Sequence, residues 1–215
     1  MNRILCVVIV TACVATSAAG AQSTRSRPTT SHPTTSRPTT GTASGPTSRA
    51  AVPAVAGDFG TFTLTPPKTW FTKVAPVAAG IRKAVYTLPE VKDGQGSAEL
   101  VVFHFKGGAG SVEANLARWR SQMRKPEGLS DDEHCIFSKQ KVDGLPVTIA
   151  EIRGDYAGDP RNPEKVTPGV MMLSAIVETD NGNYFIRTTG PEKTMQAHKE
   201  AWYKMVLTIK AGKKQ

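Results

Sequence analysis

No aspartate or glutamate occurs before Asp58, and only three cysteines occur in 215 residues. Each shortage excludes something. The acid-free leader opens on Met1-Asn2-Arg3 and continues as an apolar run from Ile4 to Ala15, the order of a secretory signal peptide. That run is too short to span a bilayer as a helix. Cys6 and Cys13 both lie in the leader, which leaves Cys135 alone in the rest of the chain. An intramolecular disulfide is therefore excluded, although an exported protein could hold one, and stability must come from an apolar core. Missing too are a Gly-x-Ser-x-Gly elbow to present a serine and a second close-spaced His or Cys pair to complete a tetrahedral metal site.

The uneven acid distribution also explains the net charge of +9. Five of the 27 Lys and Arg precede Asp58, whereas all 18 acids lie at or after it, so the chain from Asp58 onward carries +4. Lys210, Lys213 and Lys214, at the C-terminus, supply three of those four charges. A near-neutral core lacks the concentrated basic face that a duplex requires, and no nucleic-acid partner is expected.

Ala19-Gly20-Ala21 before Gln22 is a small-x-small cleavage site, which makes residues 1–21 the expected signal peptide. Val10-Thr11-Ala12-Cys13 has the form of a bacterial lipobox. The alternative is thus an envelope protein lipid-anchored through Cys13, the one route by which membrane contact is expected. Residues 22–56 are Ser, Thr, Pro, Gly and Arg with almost nothing to bury, and Ser-x-Pro-Thr-Thr is written three times over Ser26–Thr40. Such a segment cannot offset its ordering entropy, so it is read as a disordered tether held extended by proline. The same composition occurs in O-glycosylated stalks. One folded domain is expected over residues 57–211.

Within that domain, Gly60–Leu64 alternates apolar and polar residues, and Lys83–Leu88 and Glu99–Phe105 are β-rich runs, the second apolar enough for the middle of a sheet. Ile136–Val142 and Leu145–Arg153 flank Asp143-Gly144, a dipeptide suited to a two-residue type I′ hairpin. Met171–Thr179 and Tyr184–Thr189 flank Asn181-Gly182, which predicts a second hairpin of the same kind. Ser111 can cap a helix whose stripe is Val112, Leu116, Trp119 and Met123, with Asn115, Arg118 and Gln122 off it. A second helix is expected from Pro191-Glu192, with Met195, His198, Trp202, Met205 and Ile209 inward and Lys199 and Lys204 outward. The fold class is α+β: an antiparallel sheet flanked by helices.

Phe62-Thr63-Leu64-Thr65-Pro66-Pro67-Lys68-Thr69-Trp70 resembles the strand–Pro–Trp opening of PsbP-like and Mog-like α/β/α sandwich domains. Ser111-Val112-Glu113-Ala114-Asn115-Leu116-Ala117-Arg118-Trp119 and Tyr184-Phe185-Ile186-Arg187-Thr188-Thr189-Gly190-Pro191-Glu192-Lys193-Thr194 are similar to uncharacterised exported bacterial proteins of that fold. The resemblance implies the sandwich. The superfamily includes photosystem assembly subunits, a Ran-binding protein and envelope lipoproteins, so it implies no activity and lends no catalytic residue.

Four features remain as candidate chemistry. Lys106-Gly107-Gly108-Ala109-Gly110-Ser111 joins a strand to a helix where backbone N–H groups could hold a phosphate, but Gly110 stands where a P-loop needs Lys and Glu113 where a dinucleotide fingerprint needs Gly. Asp131-Asp132-Glu133-His134-Cys135 gathers metal-ligand side chains but reads as a solvated acidic loop entering a strand. Cys135 could pair with His104, His134 or His198, yet such a cysteine commonly behaves as a small buried hydrophobe. Of the three tryptophans, Trp119 and Trp202 fall on helix stripes as core residues, and Trp70 is the aromatic expected to be available to a partner or ligand.

The expected function is that of an exported, non-enzymatic module of the bacterial envelope or exterior, with no cofactor, binding another protein whose identity the sequence does not give. The alternative is a small-molecule or lipid-binding domain with a pocket between sheet and helices. A hydrolase built on Cys135 or an acidic pair is the third reading.

Overall fold

The computed structural model describes residues 52–76, 80–107, 109–158, 162 and 164–212. The chain divides after Thr47 into two units, and the architecture belongs to the second. The expected signal peptide, and the expected tether as far as residue 51, lie outside the described residues.

Antiparallel pairing of β-rich runs builds a nine-stranded sheet. Its path is β1 (Val52–Pro53), β4 (Phe71–Val74), β5 (Arg82–Leu88), β6 (Ala98–His104), β11 (Tyr184–Pro191), β10 (Thr167–Val177) and β9 (Leu145–Tyr156). Two strands share the far side of β9: β7 (Met123–Arg124) and β8 (Cys135–Val142). A second, three-stranded sheet joins β2 (Gly57–Asp58), β3 (Phe62–Leu64) and β12 (Lys210–Ala211). The helices are α1 (Val112–Ser121), the one-turn α2 (Asp131–His134) and α3 (Glu192–Leu207).

Strand β10 shows why the sheet is covered twice. Every residue from Val170 to Val177 is buried, which requires a layer on each face. Met171, Leu173, Ala175 and Val177 face one core with Phe62, Leu64, Trp70 and the α3 residues Met195, Trp202, Met205 and Val206. Val170, Met172 and Ile176 face the other, with Val112, Leu116 and Trp119 of α1 and with Met123. The protein is therefore an α+β sandwich with helices on both faces of an open antiparallel sheet.

The turns follow local chemistry where the chain is free to obey it. Val142 pairs with Leu145, and Asp143 (φ 49°) and Gly144 (φ 84°) are both left-handed, the two-residue hairpin expected from Asp-Gly. The second hairpin differs. Its last pair is Val177 with Tyr184, so residues 178–183 form a longer loop. A turn closes inside it through Gly182 N–H donating to the Thr179 carbonyl at 3.0 Å and the Thr179 hydroxyl donating to the Gly182 carbonyl at 2.6 Å. Only Gly182, at φ 100°, is left-handed there.

Ser111 caps α1, its Oγ accepting the Ala114 N–H at 3.1 Å. Asn115, expected off the apolar stripe, is instead buried, because its amide donates to the Ala109 and Ser111 carbonyls at 2.9 Å each and closes the glycine loop behind the helix. The segment Asp131–His134 is not a loop but α2. Ser130-Asp131-Asp132-Glu133 is a capping box, with Glu133 N–H on Ser130 Oγ at 3.3 Å and Ser130 N–H on Glu133 Oε2 at 3.1 Å. The Ser130 hydroxyl and N–H hold the Glu133 carboxyl below its ordinary range. Lys199 does not point outward either; its ammonium donates to the buried Glu151 carboxylate at 2.7 Å, beside the Tyr203 hydroxyl at 3.1 Å.

The domain also starts earlier than residue 57. Val52 and Pro53 pair with Thr72 and Phe71, the Ala54 N–H donates to the Trp70 carbonyl at 2.9 Å, and the Tyr86 hydroxyl donates to the Val55 carbonyl at 3.1 Å. The segment makes these bonds with its own backbone, so with little to bury it is still held by the free edge of β4 and by the Tyr86 hydroxyl of β5.

Candidate functional site

Trp70 is not a surface residue. The turn after Pro66-Pro67, closed by the Trp70 N–H donating to the Pro67 carbonyl at 3.1 Å, carries it inward just before β4, and none of its surface is exposed. Its indole N–H donates to His198 Nδ1 at 3.2 Å, with the two rings edge-on at 5.9 Å, and His198 Nε2–H in turn donates to the Pro89 carbonyl at 2.9 Å. A polar handle that finds a partner inside the fold lets an indole be buried whole. Trp202 is satisfied in the same way, donating to Thr188 Oγ1 at 2.8 Å, and Trp119 sits edge-on against Phe185 at 6.2 Å. The space between sheet and helices, where a ligand pocket was the alternative expectation, is filled by these side chains.

The other candidates are also absorbed by the fold. Each of the three imidazoles considered as a base for Cys135 donates to a backbone carbonyl. His134 Nδ1–H reaches the Arg153 carbonyl at 2.6 Å, His104 Nε2–H the Asn181 carbonyl at 2.9 Å, and His198 Nε2–H the Pro89 carbonyl. Cys135 is half-buried against the core beneath α1. Among the described residues, no group of three or more His, Cys, Asp or Glu side chains gathers as a metal would need.

Open space lies instead at one end of the sandwich, where the small sheet meets the ends of β5, β6 and β11. A cleft of about 910 Å³ is lined by Asp58, Phe59, Lys83, His104, Lys106 and Tyr184 together with the Asp180-Asn181-Gly182 turn. A second, of about 730 Å³, adjoins it and is walled by Thr61, Leu145, Pro146, Glu178 and Gly212. Phe59, Gly60, Asp180 and Asn181 line both, so those two turns form a ridge between two grooves.

The ridge is rigidly supported. The His104 and Tyr184 rings stack 4.0 Å apart at 9°, and Phe59, Phe62 and Tyr184 form an aromatic cluster with centroids 4.9–5.9 Å apart. The Tyr184 hydroxyl donates to the Phe59 carbonyl at 3.2 Å, tying the small sheet to β11. Asp58 Oδ1 accepts the Gly60 N–H at 2.8 Å and shapes the first turn. At Gly182 a Cβ would stand 2.9 Å from the Phe105 carbonyl oxygen, so only glycine brings this turn down onto β6. Charges of both signs line the first cleft: Lys83 and Lys106 against Asp58 and Asp180.

No short stretch of sequence assembles this site. Lys106 and Gly107 belong to the glycine loop, and Asn181-Gly182 to the expected hairpin, but they lie some seventy-five residues apart and meet only because β6 pairs with β11. His104, a candidate base for Cys135 in the sequence, instead lines the first cleft. Among the described residues, no helix is long and apolar enough to cross a membrane.

No protein-family model matches the chain, and no curated protein matches it. Solved structures do. The chain is similar to PA94, a protein of unknown function from Pseudomonas aeruginosa, at 13% identity and a TM-score of 0.40, over 58% of this chain and 78% of that one. It is similar to the cyanobacterial PsbP of Synechocystis at 10% identity and a TM-score of 0.43, over 79% of this chain and 98% of that one. A protein from Bacteroides thetaiotaomicron matches at 14% identity and a TM-score of 0.38, over 71% of this chain but only 46% of the other. At these identities and TM-scores the likenesses assign neither a family nor a role to this chain.

Proposed function

We propose that this is an exported binding module, without a catalytic centre, whose double-grooved end receives a segment of another protein. The observation that carries the reading is the pair of adjoining clefts sharing the Phe59-Gly60 and Asp180-Asn181 ridge. Two open grooves flanking one ridge suit an extended or looped chain that crosses the ridge better than a compact molecule that sinks into one enclosure. Mixed charge along the walls supports orientation and partner choice. Export is supported by the leader of residues 1–21, and residues 22–51 would hold the module away from its point of attachment or release.

A photo-crosslinking amino acid at Asn181, on the exposed ridge, tests this in the producing cell. The expected result is one discrete cross-linked protein, lost when Asp180→Lys and Lys106→Glu are introduced together. The same probe at Gln196, on the exposed side of α3, should give none. Cross-links of equal intensity from both positions would refute the assignment of the interface. A second reading, small-molecule binding, is favoured by Lys83 and His104, which are both buried yet line the first cleft. It predicts that a small ligand co-purifies with the domain and is lost in His104→Ala.

A further inference from the structure

Strand β8 extends past both covering layers of the sandwich. It pairs with β9 from Cys135 opposite Ile152 to Val142 opposite Leu145, and among the described residues no strand pairs with its other side. Six consecutive residues, Ile136 to Lys141, are exposed although they alternate between the two faces of the sheet. Large apolar groups are among them, with 46% of Ile136 and 41% of Phe137 open to solvent. The hairpin fixes which backbone groups point outward. Val142 and Leu145 close the two-residue turn as a hydrogen-bonded pair. Alternation then turns the N–H and C=O groups of Lys141, Lys139 and Phe137 away from β9.

Such an edge is a template for another strand, but lysines on an edge commonly guard it, so the order of charges decides. Exposed Asp131, Asp132 and Glu133 stand at the head of β8, Ile136 and Phe137 follow, and Lys139 and Lys141 come last. Reversed, that order is complementary to itself. Two antiparallel copies set the basic end of each towards the acidic head of the other, with the apolar residues between. Lys139 is already paired with Glu113 of α1 at 3.1 Å and brings little net charge to such a contact.

We propose that β8 pairs with β8 of a second copy of this chain, antiparallel about a two-fold axis at Ser138, joining two sandwiches through one continuous sheet. The contact is isologous, so one strand supplies both halves. In this register Phe137 lies opposite Lys139 of the second copy and Lys141 opposite Cys135, and no lysine directly faces a lysine. The two Phe137 rings become diagonal neighbours, within reach of each other for aromatic side chains. Lys141 comes beside α2 of the second copy, which carries Asp132 and Glu133. The contact is separate from the proposed binding grooves, since no residue from Ile136 to Lys141 lines either. Gly144 and Leu145, at the turn of the same hairpin, wall the second groove, so antiparallel pairing presents the grooves of the two copies at opposite ends of the joined sheet.

Sedimentation velocity of the mature protein over a concentration series tests the pairing, and a dimer that dissociates on dilution is expected. A photo-crosslinking amino acid at Phe137 in the purified protein should give a product of twice the chain mass, and the same probe at Gln196 should give none. Lys141→Glu and Asp132→Lys should each weaken the dimer about tenfold, and the two together should restore it, because the charges are exchanged and not removed. Both residues are exposed, so each single variant should melt with the parent in dilute solution. Three results would overturn the proposal. One is a monomer at every concentration up to about 1 mM. Another is a dimer that neither charge reversal weakens. The third is a dimer that cross-links from Gln196 as strongly as from Phe137.

Discussion

Trp70 separates a core residue from a recognition residue, and Trp70→Phe is the sharper test because it keeps an aromatic ring in place. Two losses follow from the geometry. The indole N–H that donates to His198 Nδ1 at 3.2 Å disappears, leaving a half-buried acceptor unpaired, at about 1–3 kcal/mol. The smaller ring leaves a void in a site with no exposed surface, worth about 1 kcal/mol at roughly 24 cal/mol per Å³. The sum is about 2–4 kcal/mol, and a domain of this size loses about 2–4 °C in Tm for each kcal/mol, so a fall of about 5–15 °C is expected. Urea titration gives the free energy directly, with an unchanged slope if the variant unfolds from the same compact state. A double-mutant cycle with His198→Gln isolates the indole–imidazole bond, and a coupling of about 0.5–3 kcal/mol is expected for groups in contact. If Trp70→Phe melted with the parent while losing a cross-linked partner, the burial of this indole would be wrong, and Trp70 would be the surface residue its place after Pro-Pro suggested.

Trp119→Ala should cost about 3–5 kcal/mol, read by urea unfolding, since its indole is buried against Phe185 and the sheet. A chain starting at Val52 should melt with the full mature protein, whereas one starting at Ala56 should be less stable by about 1–3 kcal/mol, having lost the β1 pairing and the acceptor of the Tyr86 hydroxyl. N-terminal sequencing of exported material should find Gln22 first; a diacylglyceryl Cys13 would make the protein a membrane-anchored lipoprotein instead. Burial pushes the Tyr86 hydroxyl up to about 12, and burial followed by the Glu151 charge pushes Tyr203 the same way. A tyrosine in the unfolded chain ionises near 10, so the stabilisation is complete below about pH 10 and is lost as pH rises towards 12, about 2–3 kcal/mol for Tyr86 alone. Urea stabilities at about pH 9 and about pH 11.5 should therefore differ less in Tyr86→Phe than in the parent.

Some of this protein was fixed by neighbours in sequence. Asp143-Gly144 made its two-residue turn because positive φ is a property of those residues alone, and α1 and α3 buried Trp119, Trp202 and Met205 because helical spacing puts them on one stripe. The capping box that builds α2 was legible as Ser-x-x-Glu, though a run of acids there reads equally as solvated loop. What the sequence could not decide depended on partners far along the chain. Asn181-Gly182 became part of a longer loop in which Gly182 settles against the Phe105 carbonyl just past β6, and Val52–Val55 left the tether because the edge of β4 offered it hydrogen bonds. Trp70 was buried by His198, which lies 128 residues away. The grooves at the end of the sandwich have the same origin. Each is a juxtaposition set by strand order, and strand order follows from which faces can be covered at once, a condition that no short stretch of residues contains.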